Sequence, residues 1–528
     1  MIIPRPTRLV RLPGTFTFDA STALTAGPGA AGAARLLRTL LRPATGLPLP
    51  DAPGGAVVLA LDPALAGAAG AAQGRGGGLG EEGYELTVGP DAVLLRAARP
   101  AGLLHGVQTI RQLLPAEALS AHPVAGVPWR MPCVRISDAP RFGWRGTMLD
   151  VARHFQPVSF LRRFVDLLAL HKLNVLHLHL TDDQGWRMPV AAYPRLTEVG
   201  GVRSRSMAGR AGSGLYDSEP HGGAYTAAEL RELTVYAAER GVAVVPEIEM
   251  PGHARAALAA YPELGNVPGR KLDVWTEWGV CEQVFGVHDE VLEFCRTVLG
   301  EVMDVFPSPY VHVGGDECPV TEWEASPEAR RRADASGLPA VRDLHGWFLG
   351  RIGAFLLAAG RRPLCWAENS GAPPMEFTVM PWRDADHGLA AARRGQDVVM
   401  APHRATYLDY PQSADPGEPL GQAGEIVDLA AVHAAQPAPA TWEPQAAARV
   451  LGAQGQLWTE FVRTPRQAEY LAFPRLCALA DRTWNPDGDW AADFLPALHG
   501  HRARLAALGV HHGPVPPPEP ALATPRRR

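Results

Sequence analysis

The sequence predicts an α/β protein: a (β/α)8 barrel preceded by a small α+β domain. Three observations predict it. From about residue 140, short β-rich segments alternate with helical patterns, and eight such strands fall within about 350 residues. Polar residues gather at the C-terminal ends of those strands, where a barrel carries its chemistry. The preceding residues mix strands and helices and show no catalytic cluster. An open doubly wound sheet is the competing arrangement, but no Gly-rich phosphate fingerprint follows a first strand.

The 528 residues suit one large domain with a companion. The division expected is 1–135 for the companion, 136–510 for the barrel and 511–528 for a Pro-rich, extended tail. In the companion, AGAARLLRTLL (31–41) has helical character. YELTVGPDAVLLRAA (84–98) reads as a hairpin around Gly89-Pro90-Asp91. AGLLHGVQTIRQLLP (101–115) has helical spacing and stops at Pro115. The Ala/Gly-rich stretch 64–80 reads as a loop.

The barrel strands are expected at 146–152, 173–180, 242–249, 309–315, 363–368, 377–382, 397–402 and 452–458. Helices such as 159–172, 226–241 and 390–395 lie between them.

Composition narrows the function. Apolar residues at 46% and charged residues at 20% allow a sizeable core and exclude wholesale disorder. Lys+Arg 50 against Asp+Glu 55 leaves a net charge of -5, so nothing basic points to nucleic acid or an anionic membrane. No apolar run reaches the ~20 residues of a membrane span. The start, MIIPRPTRLVRLPG, has no apolar h-region, so the cytoplasm is the default location unless a secretion signal precedes it. The six cysteines form no CxxC pair and read as free thiols, with a Cys281–Cys295 bridge left open.

The strand ends carry Asp150 and Arg153, Asp182 and Asp183, Glu247, Glu249 and His253. Further on come Asp316 and Glu317, Trp366 and Glu368, Trp382, Tyr407 and Asp409, and Trp458 and Glu460. Acids set among Trp suit a carbohydrate pocket. Sugar rings lay apolar C–H faces on aromatic rings and offer hydroxyls that need hydrogen-bond partners. In HVGGDEC (312–318) the glycines let the chain turn at a strand end. Asp316 and Glu317 are sequence neighbours, which does not suit two carboxylates flanking a bond at ~5–5.5 Å. One acid at the leaving oxygen and one at an adjacent substituent suits substrate-assisted catalysis better.

These segments resemble the family 20 glycoside hydrolases, the β-N-acetylhexosaminidases. The resemblance rests on WRGTMLDVARHF (144–155), HKLNVLHLHLTDDQGWR (171–187), PEIEMPGH (246–253) and HVGGDEC. It extends through CWAE (365–368), MPW (380–382), YLD (407–409) and QLWTE (456–460). The N-terminal part is similar to the accessory domain that precedes this barrel.

The resemblance implies exo-acting, retaining release of terminal β-linked N-acetylglucosamine or N-acetylgalactosamine from an oligosaccharide or glycoconjugate, with no cofactor and no metal. It makes Glu317 the general acid/base, which needs a proton for the leaving oxygen. Asp316 would orient the 2-acetamido group, whose oxygen attacks the anomeric carbon, and Tyr407 would bond that oxygen. Trp366, Trp382 and Trp458 would form the walls. Arg153 would hold the 3- and 4-hydroxyls of the terminal sugar, and Asp409 and Glu460 would be further hydroxyl ligands at the 4- and 6-positions. Asp182 and His253 would orient Glu317, with Asp183, Glu249 and Glu368 as supporting candidates outside the assignment. Asp481 reads as structural.

Two other readings remain at this stage. His177 and His179 form an HxH that could bind metal in a barrel amidohydrolase, though packing inside the barrel suits them better. A non-catalytic sugar-binding protein on the same fold is the other, and the intact Asp316–Glu317 pair argues against it. Natural substrate, gluco- or galacto-preference and oligomeric state stay open, because they depend on loops such as 203–224 and 262–288.

Overall fold

The computed structural model describes residues 1–67, 78–368 and 373–517. Part of the stretch 64–80 and most of the tail, from 518 onward, therefore lie outside the described residues. Six strands form the N-terminal sheet, in the order Arg8–Thr17, Arg130–Asp138, Tyr84–Val88, Val93–Ala97, Val57–Leu61 and Leu24–Ala26. The 84–98 hairpin pairs antiparallel with Val88 opposite Val93. Helices Ala31–Thr45 and Pro100–Leu113 pack on this sheet, their apolar faces burying Leu37, Leu41, Val107 and Ile110.

The barrel is closed and all-parallel. Its strands are β1 (Trp144–Asp150), β2 (Val175–His179), β3 (Ala243–Glu247) and β4 (Tyr310–His312). They continue with β5 (Arg362–Ala367), β6 (Thr378–Pro381), β7 (Val398–Met400) and β8 (Val450–Leu457), which pairs back to β1. Each expected strand is present, most of them trimmed at the ends. Burial on both faces explains their near-continuous apolar runs. β4 stops at His312, earlier than expected, because Gly314 (φ 64°) and Gly315 (φ 91°) turn the chain there. The helix expected at 390–395 begins at Ala385, since the Asp384 side chain accepts from the His387 N–H as its N-cap.

The barrel ring is stacked on the N-terminal sheet through buried polar contacts. Lys172 Nζ lies 2.8 Å from Asp138 and donates to Tyr84 Oη, with all three side chains buried. Glu82 clasps the Arg145 guanidinium with two bonds of 2.9 and 2.8 Å. Asp481 accepts from the Arg5 backbone and guanidinium, which gives it the structural role expected. All six cysteines are free, so no Cys281–Cys295 bridge forms. No helix among the described residues is long and apolar enough to cross a membrane.

Candidate active site

The turn after β4 places Asp316 and Glu317 at the C-terminal mouth of the barrel. Its backbone is unusual. Glu317 sits at φ 44° and His253, after β3, at φ 47°. Side chains rarely adopt this region unless their surroundings impose it, and such residues cluster at functional sites. Gly314 is required by contact as well as by φ. A Cβ there would lie 1.7 Å from Glu249 Oε2. The Glu317 N–H donates to Glu368 Oε1 at 2.6 Å, and Glu368 in turn accepts from Arg383 at 2.7 Å.

His253 joins the two acids to the supporting pair. Its Nε2 lies 3.8 Å from both Asp316 Oδ2 and Glu317 Oε2. Its Nδ1 lies 3.2 Å from Asp182 and 3.2 Å from Asp183. Burial works against charge on His253, but Asp182 and Asp183 hold its pKa well above the ordinary value. The Asp316 side chain is 12% exposed and that of Glu317 31%. Glu317 is thus the one open to a leaving group, and Asp316 the one that faces inward. Burial first, then the neighbouring Glu317, pushes the Asp316 carboxyl up to about 7 against the opposing pull of His253. Asp316 Oδ1 is buried and has no hydrogen-bond partner. A buried orphan acceptor calls for a donor from outside the chain, and an amide N–H would satisfy it.

Aromatic rings wall the space beside this pair. Trp382 and Tyr407 stack at 6.3 Å and 24°. Tyr407 and Trp458 are 6.1 Å apart, and Trp366 and Trp458 5.9 Å. Trp366 is pinned by its Nε1–H, which donates to Glu247 at 2.7 Å. Desolvation is the first cause that raises the Tyr407 hydroxyl well above its ordinary pKa, so it stays a neutral donor.

Arg153 sits at the far end. It lies 2.8 Å from Asp182, donates to Gln184 at 2.9 Å, and covers the Trp458 ring at 5.0 Å. Both oxygens of Asp409 and Oε2 of Glu460 are buried without partners. Burial raises both carboxyls, Asp409 well above its ordinary value. These orphan acceptors are suited to hydroxyl donors. Cavity size alone does not mark the site. A separate cleft of about 220 Å³, lined by Phe461, Tyr470 and Leu471 among others, contains none of these residues.

The structure therefore brings together all eleven residues singled out from the sequence. It adds a layer beneath them. Glu247 on β3 approaches His177 at 3.1 Å and His312 at 2.8 Å, and also bonds His179. The other ring nitrogen of His179 lies 2.9 Å from Asp182. Burial opposes charge on His179, but Glu247 and Asp182 carry its pKa to about 10. At His177 burial outweighs the pull of Glu247, the neighbouring His312 and His179 act in the same direction as burial, and the pKa falls to about 4. The HxH pair is thus engaged inside the barrel by Glu247, Asp182 and Gln454. Glu247 was visible as a strand-end acid, but its hub role depends on neighbours from β2, β4 and β5. Gln184 and Gln422 gave no signal, since a loop Gln reads as solvated.

A (β/α)8 barrel whose mouth carries paired acids inside a Trp box defines a glycoside hydrolase. The chain belongs to glycosyl hydrolase family 20. The model of that family's catalytic domain matches residues 142–487, and that of its domain 2 matches residues 1–139. A beta-hexosaminidase of Porphyromonas gingivalis is 37% identical over 528 residues, covering 98% of this chain. The match spans 64% of that relative's own length. A beta-hexosaminidase of Akkermansia muciniphila is 37% identical over 432 residues, covering 80% of this chain and 83% of the relative. Among solved structures, the exo beta-N-acetylglucosaminidase of Vibrio harveyi in complex with N-acetylglucosamine superposes with a TM-score of 0.83 at 30% identity. That match covers 98% of this chain and 78% of the other.

Proposed function

We propose that the chain is an exo-acting, retaining β-N-acetylhexosaminidase that releases terminal N-acetylglucosamine or N-acetylgalactosamine by substrate-assisted catalysis. The observation that carries this reading is the pairing of the half-open Glu317 with the buried Asp316, whose Oδ1 lacks a donor, inside the Trp366–Trp382–Trp458 box. The similarity to the N-acetylglucosamine complex of the Vibrio harveyi enzyme supports it.

In this mechanism Asp316 accepts the acetamido N–H and Tyr407 donates to its oxygen. The oxygen is then held against the anomeric carbon, and attack becomes a unimolecular step. The C–O bond to the leaving group breaks as Glu317 delivers its proton to that oxygen. The new bond closes an oxazolinium ring, whose positive charge Asp316 offsets. Water then attacks the anomeric carbon, gives a proton to Glu317 and reopens the ring. Two inversions leave the β configuration intact. His253, between Asp182 and the acid pair, orients Glu317. Arg153, Asp409 and Glu460 hold the hydroxyls of the non-reducing end and leave no path for a preceding sugar, which makes the action exo.

Proton NMR of an aryl N-acetyl-β-glucosaminide digest tests the stereochemistry. The β-anomer of the free sugar is expected first, with the α-anomer growing in only at the rate of mutarotation. Early appearance of the α-anomer would rule out the double-displacement route.

A further inference from the structure

Two loops meet over the far end of the pocket. Arg210, in loop 203–224, donates from Nε to the Gly421 carbonyl at 3.1 Å across 211 residues of sequence. Gly421 lies directly against Asp409. A Cβ at this position would stand 2.4 Å from the Asp409 carbonyl oxygen, so only glycine lets the chain come this close.

The next residue is Gln422. Its backbone N–H donates to the Asp409 carbonyl at 3.2 Å. Its side-chain Nε2 donates to Glu460 Oε1 at 3.2 Å. The half-buried Gln422 is thereby fixed by its backbone to the Asp409 backbone and by its side-chain amide to the Glu460 carboxylate. Glu460 Oε2 and the Asp409 carboxylate remain buried and unpartnered beside it.

Gln422 adds a neutral donor to this corner beside the Glu460 carboxylate. A carboxylate only accepts, whereas a hydroxyl both donates and accepts. Glu460 can accept a hydrogen bond from the hydroxyl, but the hydroxyl oxygen needs a donor in return. The second N–H of the Gln422 amide can supply it.

We propose that Gln422 is a further substrate-contacting residue, which reads the hydroxymethyl end of the terminal sugar together with Glu460. Arg210 is a positioning residue that holds it there through Gly421. This rests on the reading of Asp409 and Glu460 as the ligands of the 4- and 6-positions. It makes the corner a two-point reader in which acceptor and donor are both required.

The test compares kcat/KM for an aryl N-acetyl-β-glucosaminide and its 6-deoxy analogue. Wild type is expected to prefer the hydroxylated substrate by about 10–100-fold, as for a hydrogen bond to a charged group. Gln422→Ala is expected to narrow that preference at least about fivefold while leaving the melting temperature unchanged. Arg210→Ala is expected to narrow it less, in the same direction. A preference in Gln422→Ala equal to that of wild type overturns the role of Gln422. An Arg210→Ala preference equal to that of wild type overturns the positioning role. If wild type itself shows no preference for the 6-hydroxyl, the reading of Glu460 fails first, and the proposal for Gln422 falls with it.

Discussion

Glu317→Gln is expected to lower kcat by about 10²–10⁴ on an N-acetyl-β-glucosaminide with a poor leaving group. Gln is isosteric, so the backbone bond to Glu368 and the approach to His253 can persist. What disappears is the proton. A poor leaving group such as an alkoxide needs it, because the C–O bond otherwise breaks toward a strong base. A good leaving group such as dinitrophenolate departs without help, so the first step should be nearly restored on that substrate. Two substrates of different leaving-group pKa check this. Near-wild-type turnover on the poor one would remove Glu317 from the role.

Asp316→Asn carries the second large effect. The carboxylate does two things that an amide cannot. It accepts the acetamido N–H with both oxygens available, and it places negative charge beside the forming oxazolinium. Asn keeps the volume but can present its NH2 toward the substrate N–H. Loss of a preorganised electrostatic partner of this type costs about 10²–10³ in kcat. The deep position of Asp316, 12% exposed against 31% for Glu317, means that water cannot substitute for it readily. Steady-state kinetics on one aryl glycoside measure the loss. Unchanged kinetics would show that another group positions the acetamido arm.

The fold was legible because both levels of pattern agreed. Short β-rich segments alternating with helical patterns placed all eight barrel strands, and the strand-end rule placed the chemistry. Boundaries moved where a short-range device was overlooked. The Asp384 cap started a helix five residues before the expected Ala390, and the positive φ of Gly314 and Gly315 ended β4 at His312. Most site residues were legible as acids and aromatics at strand ends, and the family resemblance supplied the roles proposed for them. The layer beneath was not. Glu247 bonds side chains 68 and 119 residues away, and no local spacing reports such partners. The same holds for Arg210 and Gly421, whose contact depends on how two long loops cross the mouth.

Only some of the Trp residues serve the pocket. Trp366, Trp382 and Trp458 line the box. Trp323 and Trp484 are instead fully buried structural residues, Trp484 donating to Asp138 beneath the barrel at 2.8 Å. Trp458 also does more than face a sugar, since its ring carries Arg153 and so couples the wall to the hydroxyl-binding end.

The central claim is that the substrate's own acetamido oxygen is the nucleophile. The most direct measurement is kcat/KM for two aryl β-glycosides that differ only at carbon 2, one with the acetamido group and one with a hydroxyl. An intramolecular nucleophile held in place predicts a ratio above about 1,000 in favour of the acetamido substrate, most of it in kcat. Cleavage of the two within about tenfold of each other, carried by kcat, would contradict the account, because no effective-molarity advantage would then separate them.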